Sequence, residues 1–213
     1  MIERRDSPIR FGLQNIAHNN HFKFMVVMIH DSTYLRSLIL ILRQNIDMGL
    51  RSDNPFSPIT KCHSRRIDPA RLRSRLLREL LARWDAIRKS GRLPGYDDFR
   101  PQSMWDALGM IMIADVETRD PPVFRYRLHG SIVARNFDQD MTGKTIQGYR
   151  SPLLADVVQR DYAETLHEGI ALAYRVQIAS GEKTAQYDRC VLPIAEDGRS
   201  IDALLIVARV RGI

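Results

Sequence analysis

The chain has little cysteine and no long apolar run. Its 213 residues include only two cysteines, Cys62 and Cys190, which lie too far apart to predict a disulfide framework or a metal-binding spacing. The apolar runs are far shorter than the roughly 20 residues of a membrane-spanning helix. The N-terminus also lacks an apolar stretch followed by a small-residue cleavage site. These absences predict a cytoplasmic protein.

A recognisable catalytic motif is also missing. We find no nucleophile motif and no histidine–carboxylate set at a familiar spacing. Gly143-Lys144-Thr145 matches the end of a phosphate-binding loop, but Asp138 stands where the first glycine of that loop is needed, and Asp140 lies close by. We interpret this segment as a glycine-bearing turn. The sequence therefore predicts no catalytic residue, no metal site and no enzymatic activity.

The net charge of +7 is unevenly distributed along the chain. Residues 1–66 and residues 67–95 each carry +5, whereas residues 96–213 carry −3. A nucleic-acid-binding domain usually has its positive charge on the folded surface that meets phosphate. Because the C-terminal part is mildly acidic, nucleic-acid binding is not expected. The alternative is a nucleic-acid-associating protein that uses the arginine-rich helix within residues 67–95.

Residues 1–66 are interpreted as an N-terminal extension that is partly disordered or forms an isolated helix. Within it, Asp31, Ser32 and Thr33 are suited to cap a helix whose apolar side chains share one face. Such a helix in residues 22–48 would suit contact with an anionic membrane surface or docking to a partner. A poorly ordered leader is the favoured interpretation.

Residues 67–95 predict an amphipathic linker or dimerisation helix. Asp68 is suited to cap it, Pro69 suits its first position, and Gly91 ends it. Apolar residues recur at intervals of three and four, and part of this stripe has a coiled-coil spacing. The residues with that spacing are Leu77, Leu80, Trp84 and Ile87. We predict that these four form an interface, either in a homodimer or, alternatively, against the sheet of the same chain.

From residue 96 the apolar pattern becomes strand-like. Two β-rich runs, 109–118 and 123–130, are joined by a proline pair. A helix is predicted from about Ser151 to Glu168, where Gly169 ends it. Three more strands are predicted at 171–180, 183–194 and 200–210. In the second run, alternation predicts one face with Phe124, Tyr126 and Leu128, and a second with Arg125, Arg127 and His129.

The order of these elements and four segments resemble a family of bacterial stand-alone PAS-domain proteins whose function is unassigned. The segments are GRLPGYDDFRP (91–101), IADVETRDPPVFRYRLHGSIV (113–133), DMTGKTI (140–146) and YDRCVLPIAEDGRSIDALL (187–205). The resemblance runs from about Leu76 to the C-terminus. It implies an α+β fold, with a PAS-like five-stranded antiparallel sheet of order 2-1-5-4-3, helices on one face and a preceding amphipathic helix. Residues 96–213 would form the PAS-like domain.

The resemblance also implies a sensory or regulatory module that binds a small ligand or a protein partner and signals through protein contacts, commonly as a homodimer. Aromatic or adaptable side chains are our candidates for the ligand site: Tyr126, Met141, Tyr162 and Tyr187. Haem is not expected, because His167 suits a helix end without a ligand role and His129 is predicted to face solvent. Flavin is not expected either, since Cys190 lies in a strand. A ligand-free adaptor is the alternative within the same fold.

Overall fold

The computed structural model describes residues 58–99 and 105–209. Six strands lie in these ranges: β1 (Lys61–Ile67), β2 (Ile111–Arg119), β3 (Pro122–His129), β4 (Leu172–Ser180), β5 (Lys183–Ile194) and β6 (Ala203–Arg209). Three α-helices accompany them: α1 (Arg75–Lys89), α2 (Ser131–Asn136) and α3 (Pro152–Glu168). The predictions for residues 1–57, including membrane contact by residues 22–48, lie outside the described residues.

The strands form one antiparallel sheet in the order β1-β4-β5-β6-β2-β3. The five predicted strands have their predicted order, which confirms the α+β class and the antiparallel sheet. β1 is an addition, since it pairs with β4 from Lys61 opposite Ala179 to Ile67 opposite Ala173. The predicted boundary after residue 66 is therefore corrected, because residues 61–66 form an edge strand of the sheet.

Helix α3 begins and ends where the sequence predicts. The Ser151 side chain accepts a hydrogen bond from the backbone N–H of Leu154 at 3.3 Å, and Pro152 occupies the first helical position. Gly169 ends the helix with φ of 65°, a left-handed conformation that glycine adopts without steric cost. Local sequence chemistry is thus sufficient to define this helix.

Both faces of the sheet are covered, because successive residues of β5 point into different cores. Val191 belongs to the core under α3, whereas Cys190 and Leu192 belong to the core under α1. The sequence predicted helices on one face of the sheet, and α3 lies on that face. Helix α1 covers part of the other face.

Helix α1 is docked on its own sheet through the residues predicted to form a dimer seam. Leu77, Leu80 and Trp84 are at most 4% exposed, and Ile87 is half-buried. The indole N–H of Trp84 donates to the carbonyl oxygen of Pro193 at 2.7 Å. The prediction of a dimer seam is corrected for the three buried residues, because the sheet of the same chain already supplies their apolar contacts.

The helix also starts later than predicted. Asp68 does act as a cap, since its carboxylate accepts from the backbone N–H of Ala70 at 2.8 Å, but it caps a single 3-10 turn at Pro69–Arg71. The backbone N–H of Arg73 then donates to the Asp188 carboxylate at 3.0 Å. This contact with the sheet interrupts the helical path before Arg75.

A β-bulge at Arg127 changes the predicted faces of β3. Ile113 lies opposite Leu128 and Ala114 opposite Tyr126, so Arg127 is an extra residue between the two pairs. One extra residue moves every following side chain to the other face. Leu128 therefore packs on the α1 side, and His129 lies against the ring of Tyr126 with 5.2 Å between ring centres.

We expect Trp84→Ala to lower the free energy of unfolding by about 3–5 kcal/mol, because it removes a buried indole and leaves a cavity. Urea denaturation measures this loss. Arg83→Ala, at the exposed neighbouring position, is the control and should change stability by no more than about 0.5 kcal/mol. A Trp84→Ala protein with wild-type stability but an altered sedimentation coefficient would instead place Trp84 between two copies of the chain.

Candidate functional site

Five tyrosines, which we call the tyrosine cluster, take part in the core between the sheet and α3. They are Tyr126, Tyr149, Tyr162, Tyr174 and Tyr187. The hydroxyl of Tyr126 lies 2.9 Å from that of Tyr149 and 3.1 Å from that of Tyr162, so these three phenols form a hydrogen-bonded chain. Burial raises the pKa of Tyr126 well above its ordinary value. These hydroxyls therefore remain protonated at neutral pH.

A buried ion pair lies beside the cluster. Arg189 of β5 donates to the carboxylate of Asp161 on α3, and the side chains of the two residues are 3% and 1% exposed. The Arg189 guanidinium carbon is 5.6 Å from the ring centre of Tyr162 and 5.8 Å from that of Tyr174. Burial alone would lower the pKa of Arg189, but the Asp161 carboxylate raises it above its ordinary value. Arg189 is therefore a permanent cation within the core.

Several buried polar atoms of this core have no hydrogen-bond partner within residues 58–99 and 105–209. They include Nε of Arg189 and both ring nitrogens of His129. Such an atom costs about 1–3 kcal/mol, the free energy of removing it from water. Burial lowers the pKa of His129 to about 4, against a minor opposing effect of Asp140. The core thus holds a cationic donor and a neutral imidazole with polar atoms that no described residue satisfies.

The four predicted ligand-site residues lie in the same core. Tyr126, Met141, Tyr162 and Tyr187 are at most 5% exposed, and all four belong to the cluster of buried residues under α3. The structure therefore brings them together, although they come from β3, the loop after α2, α3 and β5. That they bind a ligand stays a prediction.

Sequence reasoning missed the ion pair and the tyrosines at positions 149 and 174. A signal for the pair was present, because Arg189 alternates with Tyr187 and Val191 on an apolar strand. Asp161 likewise lies three residues after Val158 on the inward face of α3. A charged residue at an inward position of two neighbouring elements indicates a buried pair. His129 was predicted to face solvent, and the β-bulge makes that prediction wrong.

The remaining candidate residues have ordinary surroundings. His167 is exposed in the last turn of α3. Cys190 is buried under α1, where its thiol lies 3.9 Å from the carbonyl oxygen of Leu77, and burial raises its pKa. Burial also raises the pKa of Cys62, to about 11. Both thiols are free and stay protonated at neutral pH, so neither is a ready nucleophile.

Two further arrangements are absent from the described part of the chain. No group of three or more His, Cys, Asp or Glu side chains is placed to hold a metal ion there. None of the helices described above combines the length and the apolarity that crossing a membrane requires.

Comparison with known proteins identifies a family. A family model described as PAS domain matches residues 66–198, from the last residues of β1 to the turn before β6. No curated protein and no solved structure matches the chain. The match covers more than half of the sequence and includes α1, α3 and the tyrosine cluster.

We expect Arg189→Met to lower the free energy of unfolding by about 3–5 kcal/mol, because it leaves the Asp161 carboxylate buried without its main partner. Asp161→Leu should cost a similar amount for the converse reason. The double variant removes both charges and should lose clearly less than the sum of the two single losses. Urea denaturation of wild type, the two single variants and the double variant measures this coupling free energy. If the two single losses simply added up in the double variant, Arg189 and Asp161 would not be a buried pair.

His129 should make stability depend on pH. The unfolded chain protonates this residue below about pH 6.5, whereas the folded protein does so only below about pH 4, so stability falls as the pH drops through this window. Between pH 7 and pH 4.5, wild type should lose about 2–3 kcal/mol more than His129→Gln. Urea denaturation at both pH values tests this difference. Equal losses in the two proteins would show that His129 is not protected from protonation.

Proposed function

The chain belongs to the PAS domain family, and we propose that it is a sensory module whose core binds a small, uncharged molecule beside Arg189. PAS domains are in general sensory or regulatory modules. The proposal adds a ligand site, in the core between the sheet and α3, and an output through protein contacts. The free thiols of Cys62 and Cys190 fit a module that acts in the reducing cytoplasm.

One observation carries the ligand proposal: Nε of Arg189 is buried and lacks an acceptor among the residues that the structure describes. Arg189 is 2% exposed, so bulk water does not satisfy this donor. Native cores rarely leave such a group unpaired. A bound oxygen acceptor would satisfy it, and the faces of Tyr162 and Tyr174 already flank the guanidinium.

The charge of the site restricts the chemistry of the ligand. Asp161 already pairs with Arg189 in the core, and its second partner, Arg160, has a side chain that is 54% exposed to solvent. A charged ligand would therefore bring an unpaired charge into the core, which costs far more than a neutral one. His129 is neutral at physiological pH, and its ring nitrogens have no hydrogen-bond partner in the described part of the chain. We therefore propose an uncharged molecule with an apolar or aromatic body and a carbonyl or hydroxyl oxygen directed at Arg189.

Output is proposed to run through contacts with a signalling protein or within a homodimer. A ligand oxygen on Arg189 would compete with the bond from Arg189 to Asp161, which connects β5 to α3. Changing that bond would alter the position of α3 relative to the sheet. Because Leu77, Leu80 and Trp84 are already buried, a homodimer would need a surface other than this part of the α1 stripe.

A ligand-free adaptor of the same fold is the second candidate. The hydroxyls of Tyr126, Tyr149 and Tyr162 satisfy one another, and the predicted ligand residues are almost fully buried. If this packing is complete in solution, the module acts through its surfaces alone.

Native mass spectrometry of freshly purified full-length protein separates the two candidates. We expect wild type to carry the additional mass of a small molecule, and the Arg189→Met/Asp161→Leu double variant to lack it, because the donor is gone. Lys183→Gln is the matched control, since it removes a positive charge from the exposed start of β5 and should keep the bound mass. Wild-type protein without any added mass would favour the adaptor, and the same spectra report whether the chain is a dimer.

A further inference from the structure

The face of the sheet that carries α1 is only partly covered by it. Ile67, Ala173 and Cys190 belong to the core under α1, and from there β1, β4 and β5 continue with polar residues on the same face. Two cross-strand rows beyond this core consist of polar or charged side chains. These rows are Arg65–Arg175–Asp188 and His63–Gln177–Gln186.

Positive charge is concentrated around these rows. Arg175 pairs with Asp188 at 2.8 Å and donates to the carbonyl oxygen of Arg71 at 2.8 Å. Together with the bond from the backbone N–H of Arg73 to Asp188, this fixes the 71–73 segment beside Arg65. The side chains of Arg65, Arg71 and Arg73 are exposed and have no ion-pair partner within the described residues. Residues 61–78 contain seven Lys or Arg residues and a single acidic residue.

We propose that this surface, the basic face of Lys61, His63, Arg65, Arg71 and Arg73, binds the phosphate backbone of double-stranded nucleic acid. Arginine guanidinium groups match phosphate oxygens in a bidentate geometry. Phosphate contacts of this kind give affinity without sequence preference. The site lies on the opposite face of the sheet from Arg189, so the duplex would not occupy the proposed ligand site.

The side chains of the basic face favour this partner over an acidic protein or a membrane. Protein interfaces depend on buried aromatic or aliphatic anchors, and a membrane-surface site inserts apolar side chains. The exposed large apolar residues among those described are Tyr96, Leu153 and Ile170, and none of them belongs to the basic face. Single-stranded nucleic acid is disfavoured for a related reason, because its bases stack on aromatic side chains.

The structure changes the charge argument made from the sequence. The positive charge upstream of residue 96 was assigned to an extension and a linker, away from the folded surface. Pairing of β1 with β4 and docking of the 71–73 segment put that charge on the sheet itself. The folded domain therefore meets the criterion of a basic patch on one face.

The test is fluorescence anisotropy with full-length protein and a labelled 20-base-pair duplex of mixed sequence, as DNA and as RNA, between 50 and 200 mM salt. Wild type is expected to bind with an affinity that falls steeply with salt. The Arg65→Gln/Arg71→Gln/Arg73→Gln variant should bind at least about tenfold more weakly at 100 mM salt, and its slope of log affinity against log salt should be smaller by about 3.

The matched control is Arg83→Gln/Arg88→Gln/Lys89→Gln, which removes the same charge from exposed positions toward the other end of α1. It should change the affinity by no more than about twofold, because ionic strength screens distant charges. Thermal melting of both variants controls for folding. If the first variant melts lower than wild type, the single change Arg65→Glu is used in its place and should also weaken binding.

Four results would overturn the proposal. The first is no binding of wild type to either duplex at 50 mM salt. The second is an equal loss in the two triple variants, which would show an effect of net charge alone. The third is unchanged duplex binding in the basic-face variant. Vesicles with anionic phospholipid and a poly-glutamate peptide are measured in parallel, and tighter binding to either than to the duplex would also overturn it.

Discussion

The cationic side chain of Arg189 in the core is the constraint on which the α3 side of the fold depends. A guanidinium removed from water requires a carboxylate and hydrogen-bond acceptors, since an uncompensated charge there would cost several kcal/mol. Asp161 supplies the carboxylate, so α3 must present that residue to β5. Arg160 extends the network, because it donates to Asp161 and to the carbonyl oxygen of Ser64, both at 3.0 Å. The edge strand β1 is thereby connected to the same helix.

β5 has a second charged residue next to the first. Asp188 points to the opposite face from Arg189 and pairs with Arg175. Burial alone would raise the pKa of Asp188, but hydrogen bonds from Arg175 and from the backbone of Arg73 lower it below its ordinary value. The contact with Arg73 interrupts the helical path before Arg75. Two consecutive residues of one strand thus position the elements on both faces of the sheet.

The parts of the fold that could be predicted are those determined by local chemistry. Ser151, Pro152 and Gly169 define α3 through capping and conformational preference, and five strands are recognisable by alternation and their turns. The parts that were missed depend on distant partners. β1 has only two buried side chains, Ser64 and Ile67, so its sequence shows no clear alternation of apolar and polar residues. Its strand conformation depends on backbone pairing with the edge of β4.

The candidate site was predictable in part for the same reason. Alternation on β3 placed Tyr126 inward, and Tyr162 and Tyr187 followed from aromatic residues on elements expected to face it. His129 was misplaced, because a bulge that adds Arg127 leaves no mark in the apolar pattern. Arg189 and Asp161 carried a readable signal, namely charge at inward positions, but only their pairing across two elements explains why each is tolerated there.

Adjacency in β5 also bears on how the two proposed sites would communicate. Arg189 faces the proposed ligand, and the neighbouring Asp188 holds Arg73 at the basic face. The two sites are close enough for contact through β5, but closeness alone does not couple them. Coupling requires a structural element with two arrangements, and the ligand and the duplex must each favour one arrangement over the other. Suppose that α3 and β5 form that element and that the ligand changes the affinity of the protein for the duplex by some factor. The duplex must then change the affinity of the protein for the ligand by the same factor. The reciprocity is a thermodynamic requirement, so the informative quantity is the size of the common factor: a factor of one would mean that β5 connects the two faces structurally and does not transmit a signal between them.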